Sequence, residues 1–252
     1  MQSNLYQLGF VFEPAAIHNK RTISIPDVEL LFQLTTPALT YGKIRELVVE
    51  DNILAKHTHS ARQGILRSLR EFYGLDPNLV LYSSLRFFWQ YADYDRPLLA
   101  LLCAAARDPI LQQSSNIILP WPKNTPLPKT TLEKYLQGKH LQIYSPNVQA
   151  RMVRNIMASW KQAGHLTGYR SKIRTQAMPG PASTAYAFYL GYLSGLRGNR
   201  LFESQWIQFL DASTAQIHNY AFAAAKRGWL KYKHAGGIVD ISFPISLQPG
   251  IR

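Results

Sequence analysis

The chain has 252 residues, of which 46% are hydrophobic and 12% aromatic. This composition excludes a disordered chain, and the length allows one large or two modest domains. The single cysteine, Cys103, excludes an internal disulfide and a four-cysteine zinc site, and its position in the apolar run LLALLCAAA predicts a buried, inert thiol.

The formal net charge of +13 is unevenly distributed along the chain. Residues 1–145 contain 15 Lys and Arg against 12 Asp and Glu, whereas residues 146–252 contain 13 against 3. A positive field concentrated in one half is typical of proteins that bind a polyanion, and nucleic acid is the default partner. A basic surface that serves only solubility, or one that meets a membrane, is the alternative.

The first half of the chain predicts a helical bundle over residues 1–120. The N-terminal stretch to about Ile25 is short, and its pattern is irregular. Helices are expected in DVELLFQL and YGKIRELVVEDN. The clearest helix begins at Ser60, which has capping-box spacing to Gln63, and ends at Gly74. Two apolar helices are expected in NLVLYSSLRFFWQYA and PLLALLCAAAR.

A proline-rich segment follows, with four prolines between Pro120 and Pro128. Proline at this density excludes a helix or a central strand. Residues 120–128 are therefore predicted to be a domain boundary or a stiff loop, before a basic region over residues 129–252.

A helix with one basic side is predicted in that region. Ser145 and Pro146 have the residue types of a helix start, and Gly164 has that of a helix end. At 100° per residue, three cations fall on the side opposite the apolar residues: Arg151, Arg154 and Lys161.

After Gly164 the pattern changes to a period of two. Arg170, Lys172 and Arg174 alternate with uncharged residues, so an extended strand would project all three cations from one face. A basic helix that leads into a basic hairpin is the arrangement of a winged helix. The layout recurs in AKRGWLKYKHAGGIVDISF, where the cations of a second unit are Lys226, Arg227, Lys231 and Lys233.

Three aromatic residues interleave with these charges: Tyr169, Trp229 and Tyr232. Such residues stack on nucleobases or, more often, pack beneath a hairpin, and the sequence leaves both interpretations open.

Motifs of catalysis and of cofactor binding are not found in the sequence. No lysine follows an acid by two positions, and neither a phosphate-binding loop nor a Gly-x-Ser-x-Gly elbow occurs. His57 and His59 have no cysteine or paired acid nearby that would complete a metal site, and Asp93 and Asp95 are expected to form a turn. We therefore expect a protein that is not an enzyme and needs no cofactor or metal.

No targeting or membrane segment is predicted. The first residues lack the features of a secretion signal, and the longest apolar runs fall far below the ~18 residues of a membrane span. A soluble, cytoplasmic protein with no membrane partner is expected.

Two stretches resemble the BrxA family, small accessory proteins of bacterial BREX phage-defence systems. Residues 41–75 read YGKIRELVVEDNILAKHTHSARQGILRSLREFYGL, and residues 145–166 read SPNVQARMVRNIMASWKQAGHL. The chain departs from the family pattern in its greater length and in its turn EDNIL. The resemblance implies a helical domain similar to the NusB antitermination fold, with DNA binding and no enzymatic activity. It also implies a bacterial cytoplasmic setting and other defence proteins as partners.

The sequence thus predicts a mainly α protein that binds duplex DNA through its phosphates, with little sequence preference. The main contact is expected at Arg151, Arg154, Lys161, Arg170, Lys172 and Arg174, and the second contact at Lys226, Arg227, Lys231 and Lys233. An assembly protein that docks on an acidic protein, and an RNA-binding antitermination-like factor, are the alternatives.

Overall fold

The computed structural model describes residues 2–244, which form twelve α-helices and five short strands. Seven helices precede the proline-rich segment: α1 (Gln2–Leu8), α2 (Ile25–Leu34), α3 (Tyr41–Arg45), α4 (His59–Tyr73), α5 (Val80–Trp89), α6 (Arg96–Arg107) and α7 (Pro109–Ile118). A 3-10 turn lies at Ile17–Asn19, and a π-helical turn at Glu46–Glu50 extends α3. The predicted helical bundle is confirmed as helical, while its likeness to the NusB fold stays a prediction.

The second half alternates helices with short strands. In chain order it contains β1 (Pro126–Leu127), α8 (Lys129–Leu136), α9 (Pro146–Gln162), β2 (Leu166–Thr167), β3 (Lys172–Arg174), α10 (Pro181–Leu193), α11 (Gln205–Gln208), α12 (Thr214–Lys226), β4 (Lys231–Ala235) and β5 (Ile238–Ser242). A π-helical turn at Gln137–Leu141 extends α8, and a 3-10 turn at Gly198–Leu201 separates α10 from α11.

Two details of the N-terminal prediction are wrong. The cap of α4 is Thr58 rather than Ser60, because the Thr58 hydroxyl accepts the N–H of Ala61 at 3.1 Å. The first residues are also less irregular than predicted, since α1 forms there and buries Leu5 and Leu8. Seven residues without a capping signal give little periodicity to detect, and α1 owes its place to these packing contacts.

The segment from α7 to β3 forms a winged helix. Strand β3 lies between β1 and β2 and pairs antiparallel with both, so the sheet order is β1-β3-β2. The order helix, strand, helix, helix, strand, strand is that of a winged helix, with α9 as its third helix and the β2–β3 hairpin as its wing. The proline-rich segment supplies β1 at the sheet edge, where Pro126 is tolerated. The predicted mainly α fold with short β-hairpins is confirmed, but the winged-helix order begins at α7, before the predicted region of residues 129–252.

Both helix-to-hairpin junctions close with the same main-chain hydrogen bonds. After α9, Gly164 has φ 90°, and the N–H of His165 donates to the carbonyl of Trp160 at 3.0 Å. After α12, Gly228 has φ 73°, and the N–H of Trp229 donates to a carbonyl one turn back in the same way. This is the Schellman motif, which needs a residue with positive φ. The change of period after Gly164 therefore has a local cause, since the cap ends the helix and the chain continues extended.

The second hairpin completes a unit of similar order. Helices α10, α11 and α12 precede β4 and β5, which pair antiparallel. The 3-10 turn between α10 and α11 takes the place that β1 has in the first unit. Its Asn199 accepts the N–H of Val239 and donates to the carbonyl of Gly237, each at 2.9 Å. The predicted second unit of helix and hairpin is present.

The hydrophobic core is continuous across the proline-rich segment. Helix α10 packs against α5 and α6, and α9 packs against the turn at Ile17–Asn19. The division into two domains at residues 120–128 stays a prediction. Cys103 on α6 is fully buried, which confirms the predicted burial, and burial raises the pKa of its thiol to about 12. None of the helices within residues 2–244 combines the length and apolarity that crossing a bilayer requires.

Candidate nucleic-acid interface

A basic groove lies between α9, the start of α8 and the β2–β3 hairpin. Its volume is about 570 Å³, and no carboxylate is among the residues that line it. Four cations line it: Lys129, Arg154, Arg170 and Lys172. Within residues 2–244, no carboxylate lies within ion-pair distance of any of the four. An anion that enters the groove therefore meets positive charge that the protein does not neutralise.

Helix α9 presents its cations to solvent and its apolar residues to the core. Arg154 lines the groove, and Arg151 and Lys161 are exposed on the same helix. The opposite side is buried through Met152, Val153, Ile156 and Trp160. The amphipathic pattern thus fixes which residues of α9 a ligand can reach.

Lys172 stabilises the turn of the hairpin and is repelled by Lys161 on α9. Its ammonium group donates to the carbonyls of Gly168 at 3.0 Å and Tyr169 at 2.8 Å, so it also fixes the hairpin turn. Partial burial lowers the pKa of Lys172, and the positive charge of Lys161 lowers it further. A phosphate in the groove would oppose the second effect, because a negative charge favours the ammonium form.

The prediction that Arg174 projects outward with Arg170 and Lys172 is wrong. The strand begins only at Lys172, Arg170 lies in the hairpin turn, and the side chain of Arg174 is fully buried. Its guanidinium donates to the Asp211 carboxylate at 2.9 Å and to four main-chain carbonyls, those of Ile118, Leu119, His165 and Thr175. Three of these acceptors lie at the end of α7 and at Asp211, so the side chain of Arg174 points into the protein rather than into solvent. Arg174 anchors the hairpin and is not available to phosphate.

The cations of the second unit form a separate surface. Lys226, Arg227, Lys231 and Lys233 are all exposed, and none of them lines the groove. Lys231 and Lys233 share one face of β4, with Asp240 opposite Lys233 in the register. The structure therefore does not bring all ten predicted cations into one patch.

The three interleaved aromatic residues have different environments. Trp229 is buried beneath the second hairpin, where its ring lies 6.1 Å from Phe88 and 5.4 Å from Tyr91. Tyr232 is half-buried and hydrogen-bonds His218. Tyr169 is 88% exposed at the edge of the groove. Only Tyr169 is free to stack on a ligand, and the other two pack within the protein.

Sequence reasoning missed Lys129. It begins α8 directly after β1, and pairing of β1 with β3 brings it beside the hairpin. A strand of two residues has no periodicity, so no local signal places Lys129 at the groove.

Sequence reasoning also missed a buried Asp-His-Ser arrangement. The Asp108 carboxylate lies 2.7 Å from Nδ1 of His18, and Nε2 of His18 lies 2.9 Å from the Ser159 hydroxyl. This is the order of groups in a hydrolase triad. All three residues are fully buried, however, and Asp108 also caps α7 by accepting two main-chain N–H groups. A substrate cannot reach Ser159, so the arrangement connects the N-terminal segment to α7 and α9.

Neither the models of known protein families nor the curated proteins give a match to this chain.

Proposed function

We propose that this is a non-enzymatic DNA-binding accessory protein of a bacterial BREX-type phage-defence system, and that it binds duplex DNA mainly through phosphates. The observation that supports DNA binding best is the acid-free groove of four cations between the third helix and the hairpin of a winged helix. These two elements are the parts of a winged helix suited to contact a duplex. The resemblance of residues 41–75 and 145–166 to BrxA proteins supports the defence setting, with other defence proteins as further partners.

Most amide side chains on α9 already form hydrogen bonds within the protein, and this favours DNA binding with little sequence preference. Asn and Gln side chains read adenine in the major groove when they are free to do so. Three of the four amides on α9 already bond within the protein. Gln149 donates to the carbonyl of Leu141, Asn155 to that of His18, and Gln162 to the hydroxyl of Thr22. The exposed side of α9 is left mainly with cations, which bind phosphate without reading sequence.

We propose that the protein is not an enzyme. The burial of the Asp108–His18–Ser159 arrangement supports this, because a substrate cannot reach these residues. Its hydrogen bonds stabilise the contact between the N-terminal segment and the winged helix, and no solvent path for a substrate is needed for that role.

We expect duplex DNA binding to weaken steeply with salt. If about five phosphates are neutralised, the slope of log affinity against log salt should be near −4.5. Changing Lys129, Arg154 and Arg170 together to alanine removes three contacts and should make the slope shallower by about 2.7. Fluorescence anisotropy with two duplexes of equal length and unrelated sequence would measure both, and affinity should fall equally for the two.

A matched control removes the same formal charge elsewhere. Lys43, Arg45 and Arg67 are exposed on α3 and α4, and none lines the groove. Alanine at these three positions should leave the slope unchanged.

An affinity for duplex DNA that does not change with salt concentration would contradict the proposal. Loss of affinity for only one of the two sequences would indicate base readout instead. Tighter binding of matched RNA would favour the antitermination-like alternative, and binding only to an acidic protein would favour the scaffold alternative.

We expect the second basic surface to add contacts when the duplex is long enough to reach it. Lys231 and Lys233 are exposed on one face of β4, so changing both to alanine should reduce the salt slope by about 1.8 on a long duplex. On a duplex just long enough for the groove the change should have no effect. An equal effect on both duplexes would show that the two surfaces do not act as separate contacts.

A further inference from the structure

The groove is lined by apolar residues as well as cations, and a surface that binds only phosphate does not require the apolar residues. Its floor is apolar: the nearly buried Leu127 and Met157 line it, together with the more exposed Pro128 and Ala158. A surface that contacts only the sugar-phosphate backbone needs cations and hydrogen-bond donors, not an apolar floor. The volume of about 570 Å³ lies within the roughly 300–1,000 Å³ of small-molecule sites.

Tyr169 forms one wall of this groove and is held on a fixed turn. Gly168 has φ 85°, and a Cβ at this position would collide with the carbonyl oxygen of Ser171. The Lys172 ammonium group bonds the carbonyls of Gly168 and Tyr169. The main chain of the turn is thus fixed, while the ring of Tyr169 stays 88% exposed. An aromatic ring presented in this way offers a flat face at a small cost in conformational entropy.

A ligand for this groove needs a planar apolar part and an anionic part. The planar part would lie against Tyr169 and the apolar floor, and the anionic part would lie among Lys129, Arg154, Arg170 and Lys172. A nucleotide whose base is not paired has both parts, whereas the bases of an intact duplex are stacked on one another and cannot enter.

We propose that the groove holds one unpaired nucleotide of the bound DNA, with its base against Tyr169 and with its own and the adjacent phosphates among the four cations. This inference rests on the DNA binding proposed above. It predicts that the protein prefers duplexes with a single-stranded end over blunt duplexes, because base–aromatic stacking adds to the phosphate contacts.

Three DNAs with the same duplex would test this. One is blunt, one has a short single-stranded overhang, and one has an overhang of the same length made of abasic sites, which keeps the phosphates and removes the bases. We expect the natural overhang to bind about tenfold more tightly than the abasic one. Tyr169→Ala should remove this preference, so that the natural and abasic overhangs bind equally, whereas Tyr169→Phe should keep the preference. Tyr94→Ala, at another exposed tyrosine outside the groove, should change nothing.

The possible results separate this inference from the proposed function. Equal affinity for the natural and abasic overhangs, with salt-dependent binding of the blunt duplex, would overturn the inference alone. Failure of all three DNAs to bind would overturn the proposed function as well. Addition of deoxyadenosine monophosphate should reduce the overhang preference, since it would compete for the groove. Binding of this mononucleotide without any overhang preference would assign the groove to a free nucleotide and overturn its role in DNA binding.

Discussion

Replacing Arg174 with alanine should lower the free energy of unfolding by about 3–5 kcal/mol, the usual cost of removing one partner from a buried ion pair. The side chain is fully buried, and its loss removes the closest cation from the Asp211 carboxylate, which keeps a longer contact with Lys123 at 3.5 Å. It also removes a donor to the carbonyls of Ile118 and Leu119. Such a loss is a large part of the roughly 5–15 kcal/mol that stabilises a typical domain. Urea unfolding followed by circular dichroism would measure it.

The neighbouring Arg170 provides the matched control. It is exposed in the same hairpin, so Arg170→Ala should change stability by no more than about 0.5 kcal/mol while it weakens DNA binding. Arg174→Lys should be intermediate in stability, because one ammonium group keeps the charge and cannot reach five acceptors in different directions. If Arg174→Ala left stability unchanged and weakened DNA binding as Arg170→Ala does, the buried role of Arg174 would be wrong.

Arg174 also shows where reasoning from the sequence fails. Alternation over residues 170–174 predicted three cations on one face, but a period of two applies only where the chain is extended. The hairpin turn occupies the residues up to Ser171, so Arg170 and Arg174 do not share a strand. The acceptors that bury Arg174 lie near residues 118 and 211, and no local pattern connects such distant positions.

The features that the sequence did predict depend on interactions within one element. The amphipathic pattern of α9 and the glycine that ends it require only residues three to five positions apart, and the same is true of α12 and Gly228. The second hairpin pairs residues at most eleven positions apart. These local signals were sufficient for the mainly helical fold and for the winged-helix region.

The features that the sequence missed depend on pairing between distant segments. Lys129 reaches the groove because β1 pairs with β3, some 45 residues later in the chain. His18 meets Asp108 and Ser159 across separations of 90 and 141 residues. For the site, the sequence therefore supplied Arg154, Arg170 and Lys172, and the structure added Lys129 and the groove that joins them.

The stability of the protein should decrease in mild acid because of His165. The ring is fully buried at the base of the first hairpin, and burial, together with the positive charge of Arg174, lowers the pKa of His165 to about 3. In the unfolded chain its pKa is the ordinary 6.5. Between pH 6.5 and 3 the unfolded state therefore binds a proton that the folded state does not. The free energy of unfolding should fall by about 1.4 kcal/mol for each pH unit below 6.5, and this contribution should level off below pH 3.

His165→Phe isolates this effect from other groups that titrate in the same range. The His165 ring packs edge-on against Trp160 at 4.9 Å, and its polar neighbours are the main chain of Phe209 and the Asp211 carboxylate, which lies 4.0 Å from Nδ1. Neither ring nitrogen makes a hydrogen bond of good geometry within residues 2–244, so phenylalanine should keep the packing and lose only these weak polar contacts. Urea unfolding at pH 7, 6, 5 and 4 should show a difference between the variant and the natural protein that grows as the pH falls. The exposed His57 is the control, and His57→Gln should follow the natural protein at every pH. Asp211 and Lys123, which lie nearby, are the same in all three proteins. If His165→Phe kept the same slope with pH, the neutral, buried state of His165 would not be the source of acid sensitivity.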